Sequence, residues 1–228
     1  MRNSTAYLVF ILILASIFAV SCENRSIASV KTEEELASAL AKGGEIVLQD
    51  DIVVTDTLVV SNDSVLNMNG KTLSNTDDIW VDTEEVDKWS LISVRDSAKL
   101  VIKGNGKLLA KENDCYALDA IDGSIVIEDG TFRGNLSAVY VFKGSLEVKG
   151  GSFSILQKDP SDDPNRFLLN CYDQNRAKGT ASIKVSGGVF EAFDPGNNKA
   201  EGEGTNFLAE GYKSVANEEG SEYSVSKN

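Results

Sequence analysis

The 228-residue chain contains no histidine. Ser-His-Asp triads, Cys-His dyads and imidazole metal sites are therefore excluded. Its three cysteines are too few for a disulfide-stapled scaffold. Basic residues are the minority, 22 against 35 acids for a formal charge of −13. Such a chain repels phosphate backbones, so nucleic acid is not an expected partner. The 19 glycines follow no Gly-X-Y period, which excludes a collagen-like rod. Hydrophobic residues at 42% and charged residues at 25% exclude a disordered polyampholyte and leave enough apolar sequence for one domain or two.

One long apolar run is present, Ala6 to Val20. It is shorter than the roughly 20 residues a membrane-spanning helix needs. With Arg2 ahead of it, residues 1–21 read as a leader to be removed and set aside from fold reasoning. The run ends Ala19-Val20-Ser21-Cys22 and turns polar at once in Glu23-Asn24-Arg25-Ser26. This resembles a bacterial lipoprotein box, in which small residues precede a cysteine that is acylated and becomes the mature N-terminus. Ala19 stands where that box usually has Leu. The resemblance implies lipidation at Cys22, a lipid bilayer as partner, and a place in the bacterial cell envelope, at the outer membrane or cell surface. Acyl chains contribute about 0.8 kcal/mol per buried methylene, so a multiply acylated Cys22 anchors stably. An ordinary secretory leader with an accidental cysteine is the competing reading. Residues 22–29 then form a short tether, and residues 30–228 the folded domain.

That domain repeats. Lys99-Leu-Val-Ile-Lys-Gly-Asn-Gly-Lys-Leu108, Ser124-Ile-Val-Ile-Glu-Asp-Gly-Thr-Phe132, Ser145-Leu-Glu-Val-Lys-Gly-Gly-Ser-Phe153 and Ser182-Ile-Lys-Val-Ser-Gly-Gly-Val-Phe190 align. Val65-Leu-Asn-Met-Asn-Gly-Lys-Thr-Leu73 fits more loosely, with Leu66 set against Leu100. Each unit is an alternating strand, a glycine turn and a large apolar residue. The period of two puts Leu100/Ile102, Ile125/Ile127, Leu146/Val148 and Ile183/Val185 on one face. Gly104, Gly130, Gly150/Gly151 and Gly187/Gly188 supply positive φ or room for close backbone approach. Second alternating stretches lie between the units, at Leu91–Val94, Tyr116–Ala120, Ala138–Phe142 and Phe167–Cys171. No single unit can bury its apolar face, whereas stacked units share a continuous core. An antiparallel sandwich is the alternative for many short strands, but it does not predict one strand-Gly-Phe unit recurring in register.

Thr32-Glu-Glu-Glu35 reads as a capping box that starts a short helix with Leu36, Ala39 and Leu40 on one face and Gly43-Gly44 as its stop. Such a helix would cover the open end of a stack. Helix, Gly-Gly-Glu-Ile-Val-Leu48 and Leu66-Asn-Met-Asn-Gly-Lys-Thr-Leu73 together resemble the opening of pectate-lyase-like right-handed parallel β-helices. Gly187-Gly-Val-Phe-Glu-Ala-Phe-Asp-Pro195, Glu203-Gly-Thr-Asn-Phe207 and Gly211-Tyr212 resemble the end of short β-helices in phage-like structural proteins and gut-bacterial surface lipoproteins. The resemblance implies an all-β fold, a single-stranded right-handed parallel β-helix with a short N-terminal capping helix. It leaves activity open, since the superfamily holds lyases, glycosidases, adhesins and phage fibres.

Outward positions of the repeated strands form two columns, Asn69, Lys103, Glu128, Lys149, Ser186 and Asn67, Val101, Val126, Glu147, Lys184. The alternating signs read as a solvated ion ladder rather than a catalytic face. The units are unevenly spaced, and extra residues enter at one corner, over 74–90 and 154–166. The first insertion carries Asp77, Asp78 and both tryptophans, Trp80 and Trp89; the second carries Asp159 and Asp162. Insertions on a rigid scaffold are where binding residues gather. Three readings stay open: tryptophans packing the loop down, a glycan- or ligand-binding groove between the loops, and a catalytic carboxylate pair. No cofactor motif is present and no metal site is expected; the acidic spacing matches no EF-hand. Asp56-Thr57-Leu58, Asp63-Ser64-Val65 and Asp96-Ser97-Ala98 resemble an O-glycosylation triplet of extracytoplasmic bacterial proteins. Cys115 and Cys171 fall two rungs apart, about 9.6 Å, too far for a disulfide. The expectation is an envelope-anchored lipoprotein with a non-enzymatic binding or adhesion role, toward carbohydrate. The alternatives are a polysaccharide lyase or glycosidase, and a phage-derived structural module.

Overall fold

A computed structural model describes residues 27–83, 87–111, 116–157 and 166–228. The leader, Cys22, Cys115, Asp159 and Asp162 lie outside the described residues. The described chain is mostly strands, with two helices, and its three large sheets are built on parallel pairing.

The first sheet has seven parallel strands: Ala28–Val30, Gly44–Leu48, Ser64–Asn67, Lys99–Lys103, Gly123–Ile127, Gly144–Val148 and Ala181–Val185. The second runs Ile52–Val54, Thr72–Asn75, Lys107–Leu109, Thr131–Gly134, Ser152–Ile155 and Val189–Glu191, all parallel. The third runs Leu58–Val60, Ser90–Val94, Tyr116–Ala120, Val139–Val141 and Leu169–Cys171. From Gly44 onward the chain visits the sheets in rotation, so each strand pairs with the one a full circuit later. The first strand, Ala28–Val30, draws the last two residues of the expected tether into the sheet.

Inward columns follow from the alternation. Ile46, Leu66, Ile102, Ile127, Val148 and Val185 are in register in the first sheet, and all are fully buried. Ile52, Leu73, Leu108, Phe132, Phe153 and Phe190 do the same in the second. The three phenylalanines stack with centroids 5.2 and 5.0 Å apart, and they are buried, as the repeat requires. Phe193 and Phe207 extend the stack to the C-terminal end.

The glycine turns divide their labour. Gly104, Gly130, Gly151 and Gly188 have positive φ. Gly150 and Gly187 instead answer to space: a Cβ would sit 2.3 Å from the Glu128 carbonyl oxygen and 2.1 Å from that of Lys149, respectively. Helix α1, Glu33–Lys42, buries Leu36, Ala39 and Leu40. Thr32 Oγ1 accepts from the Glu35 N–H, while Glu35 accepts from the Lys31 N–H one residue ahead of the cap.

Two expectations need correction. Leu66 pairs with Ile102, not Leu100, because the left-handed Asn69 and Gly70 shift the turn relative to the Gly104 turn of the next circuit. The slip of two residues keeps the same face inward. The expected ion ladder does not form either, although its strands keep the expected register. Lys103 reaches Glu45 at 2.9 Å, two strands away, rather than Glu128. Lys149 lies 3.7 Å from Glu147 of its own strand. These pairs are over a third exposed and worth at most about 1 kcal/mol each.

At the C-terminal end Glu222–Lys227 pairs antiparallel with Val189–Glu191 and with Tyr212–Ala216. That hairpin closes the last parallel edge of the second sheet, a device that blocks further edge pairing.

Candidate functional site

The outward face of the third sheet is unlike the other two. Val59, Ser93, Asp119, Tyr140 and Asn170 stand in register on successive strands. Aromatic rings flank this column. Tyr116 lies 5.3 Å from Tyr140, and Phe142 stacks on Tyr172 at 5.0 Å. Trp89 meets Tyr140 and Phe142 edge-on, both at 5.9 Å.

The insertion at 74–90 adds the outermost rings. Val81–Asp82 and Asp87–Lys88 pair antiparallel, with Val81 opposite Lys88. That pairing puts Trp80 opposite Trp89, and the two indoles stack 6.4 Å apart. Trp80 also stands edge-on to Tyr116 at 5.5 Å. The Lys88 ammonium, 2.6 Å from Asp56, ties the hairpin to the preceding circuit. Trp80 is 38% exposed, whereas Trp89 is half-buried with its indole N–H unpartnered. A buried N–H without an acceptor costs free energy, and such groups are rare in folded proteins.

Beside Tyr140 the face drops into a depression of about 470 Å³, lined by Phe167, Asn170, Tyr172, Asp173 and Gln174. Helix α2, Asp173–Ala177, begins at its edge. Behind it, Glu201 keeps only 1% of its side chain exposed, with Oε2 3.8 Å from Arg176 Nε. Burial raises the Glu201 carboxyl above its ordinary value, against the hydrogen bonds from Cys171, and a hydrogen bond with Asp173 adds to the rise. Burial likewise raises the Tyr140 phenol, with Tyr116 next in effect. Burial thus shifts both groups toward their neutral forms relative to exposed ones.

Asp119 is fully buried although its strand position faces outward. Ser90 and Ser93 hydroxyls donate to its two oxygens at 2.7 and 2.6 Å. A carboxylate so enclosed organises the sheet beneath the rings.

Among the sequence-selected residues, the structure brings Trp80 and Trp89 together. Asp78 is exposed and its carboxylate pairs with Lys111. Asp77 is exposed, and its backbone carbonyl accepts from Asn75. The two insertions do leave the second sheet three strands apart, as expected. The sequence reading missed Tyr116, Tyr140, Phe142 and Tyr172; the signal for Tyr140 is its place between the inward Val139 and Val141. Of the three Asp-Ser/Thr triplets, Ser97 is exposed, while Ser64 is buried and the Thr57 hydroxyl donates to the Ser90 carbonyl. Cys171 is a free, buried thiol paired in register with Val141. Its thiol donates to Glu201.

Among the described residues no group of three or more Cys, Asp or Glu side chains could hold a metal ion. Comparisons with protein-family models, with curated proteins and with solved structures return no match.

Proposed function

We propose that the chain is an envelope-anchored lipoprotein, a right-handed parallel β-helix that binds carbohydrate on the outward face of its third sheet. The rotation of the chain through three parallel sheets supports the β-helix, and the lipoprotein box at Cys22 supports the anchor. The observation that carries the binding role is the continuous row of rings from Trp80 through Trp89, Tyr116, Tyr140 and Phe142 to Tyr172. Rings offer flat apolar surface, and the amides and carboxyls of Asn170, Gln174 and Asp173 offer partners for hydroxyls beside them. Strands of a sheet repeat at about 4.8 Å, so the row suits an extended, repeating chain better than a compact molecule.

A glycan array probed with the full-length protein in detergent tests the reading. Binding is expected to favour polysaccharides over monosaccharides and to fall when Trp80 is replaced by Ala. No signal on any glycan would overturn it. The anchor has its own test: labelled fatty acid should enter the wild type and not Cys22→Ala.

A further inference from the structure

The depression beside Tyr140 joins aromatic rings to a carboxylate. Tyr140, Phe167 and Tyr172 bring the rings, and Asn170, Asp173 and Gln174 bring the polar groups. None of its described lining residues is basic. Asp173 is exposed, and its charge reaches Tyr140: after burial, Tyr116, Cys171 and Tyr172, it adds to the rise of the phenol. Asp173 also hydrogen-bonds Glu201. A carboxylate has about four acceptor positions, so it keeps room for a second donor. Lys88, Lys143 and Arg176 flank strands of the third sheet in sequence, and each is held by an acid. Lys88 lies 2.6 Å from Asp56, Lys143 3.0 Å from Asp122, and Arg176 Nε 3.8 Å from Glu201.

We propose that the depression takes a protonated amine, so that the polysaccharide bound is one that carries free amino sugars. The inference rests on the glycan reading of the row of rings and names its substrate class. An ammonium is attracted to the negative faces of Tyr and Phe rings, and it donates a charge-assisted hydrogen bond to a carboxylate. Rings alone suit any sugar, and an acid alone suits any cation. Here both line one depression. Tyr140 also belongs to the row, in contact with Tyr116 and Trp89, so a chain laid along the row reaches Asp173. An acetylated amine has lost its charge and forfeits both attractions. A uronate meets Asp173 as a like charge, with no basic group among the described lining residues to offset the repulsion.

Isothermal titration calorimetry on the full-length protein in detergent tests the assignment, in buffer between the carboxylate and amine ionisation ranges. The probes are a glucosamine hexasaccharide, its fully N-acetylated counterpart, a galacturonate hexasaccharide and hexalysine. The glucosamine hexasaccharide is expected to bind roughly tenfold more tightly than the acetylated one, and the galacturonate chain not at all. Asp173→Asn should bring the glucosamine affinity down to the acetylated level. The inference is overturned if the acetylated hexasaccharide binds as tightly as the free amine, an outcome that leaves the glycan reading standing. It is equally overturned if hexalysine binds as tightly as the glucosamine chain, since the acidic protein would then be attracting any polycation. If neither amino-sugar chain binds, the inference falls, and the glycan reading falls with it only where the glycan array is silent as well. These comparisons use the wild type alone, so they decide the matter even if the Asp173 variant does not fold.

Discussion

The thiol of Cys171 donates a hydrogen bond to Glu201 Oε1 over 3.0 Å, and the backbone N–H of Cys171 donates to the same oxygen over 3.1 Å. One carboxylate oxygen thus ties the last strand of the third sheet to the segment that follows the second. Asn198 and Thr205 close the turn that presents Glu201, through reciprocal backbone bonds of 2.9 and 3.0 Å. Burial and the Glu201 bond push the thiol's ionisation well above the ordinary range, so it stays a neutral donor.

Glu201 sets a pH dependence. Its folded value is raised, first by burial, above the ordinary 4.5. The native state therefore binds more protons than the unfolded state between those values. Stability from this group is full below about 4.5 and falls as pH rises through the folded value. Thermal midpoints of the wild type and Glu201→Gln, compared across pH 4 to 8 (about the range in which raised carboxyls titrate), should diverge in that window. The wild type should lose ground relative to the variant as pH rises. A constant offset would show that Glu201 does not titrate differently on folding.

Phe153 is the middle ring of its stack, between Phe132 and Phe190. Phe153→Ala should destabilise by about 3–5 kcal/mol in denaturant titration, since neighbours in register on both sides cannot collapse into the hole. Phe153→Leu should cost markedly less. A loss under 1 kcal/mol for the alanine variant (less than roughly one buried methylene's worth) would refute the stack as core.

That stack was legible because each phenylalanine follows a glycine turn at a fixed offset, and strand alternation does the rest. The capping helix was legible for a similar local reason, the Thr32–Glu35 pattern ahead of Leu36, Ala39 and Leu40. The Leu66 register was not, because two residues of slip preserve the hydrophobic pattern and only the Asn69-Gly70 turn geometry distinguishes the two alignments. The row of rings was half legible. Trp80 and Trp89 stand out as the two tryptophans, but Tyr116, Tyr140 and Tyr172 come from three circuits and meet only once the third sheet is assembled. Charges misled: Lys103 is long enough to pass over a strand to Glu45, and no sequence column records reach.

Gly187 and Gly179 separate the two uses of glycine. A Cβ at Gly187 would sit 2.1 Å from the Lys149 carbonyl oxygen, and backbone on the neighbouring circuit cannot turn aside. Gly179 has φ 73 and open space around it. Gly179→Ala should cost about 1–2 kcal/mol, the left-handed penalty alone. Gly187→Ala should cost about 3 kcal/mol or more, because circuits must part to admit it. Equal losses in chemical denaturation would mean that the circuits are not held at the observed spacing.

Trp80 and Trp89 stack on each other yet should behave differently when truncated. Trp89 is half-buried and touches Tyr140 and Phe142 of the third sheet as well as Trp80. Its removal opens a hole between the hairpin and the sheet. Trp80 is the outer partner, more exposed, with Trp89 and Tyr116 as its ring contacts. Aromatic pairs add about 0.5–1.5 kcal/mol each beyond their buried area. Trp89→Ala should therefore lose about 3 kcal/mol or more of stability, and Trp80→Ala roughly 1 kcal/mol. The order should invert in ligand binding measured per folded molecule, where the exposed ring carries the contact. If Trp80→Ala instead destabilises as much as Trp89→Ala and leaves glycan binding intact, the outer indole is a packing residue and the binding surface lies farther along the row, toward Tyr140 and Tyr172.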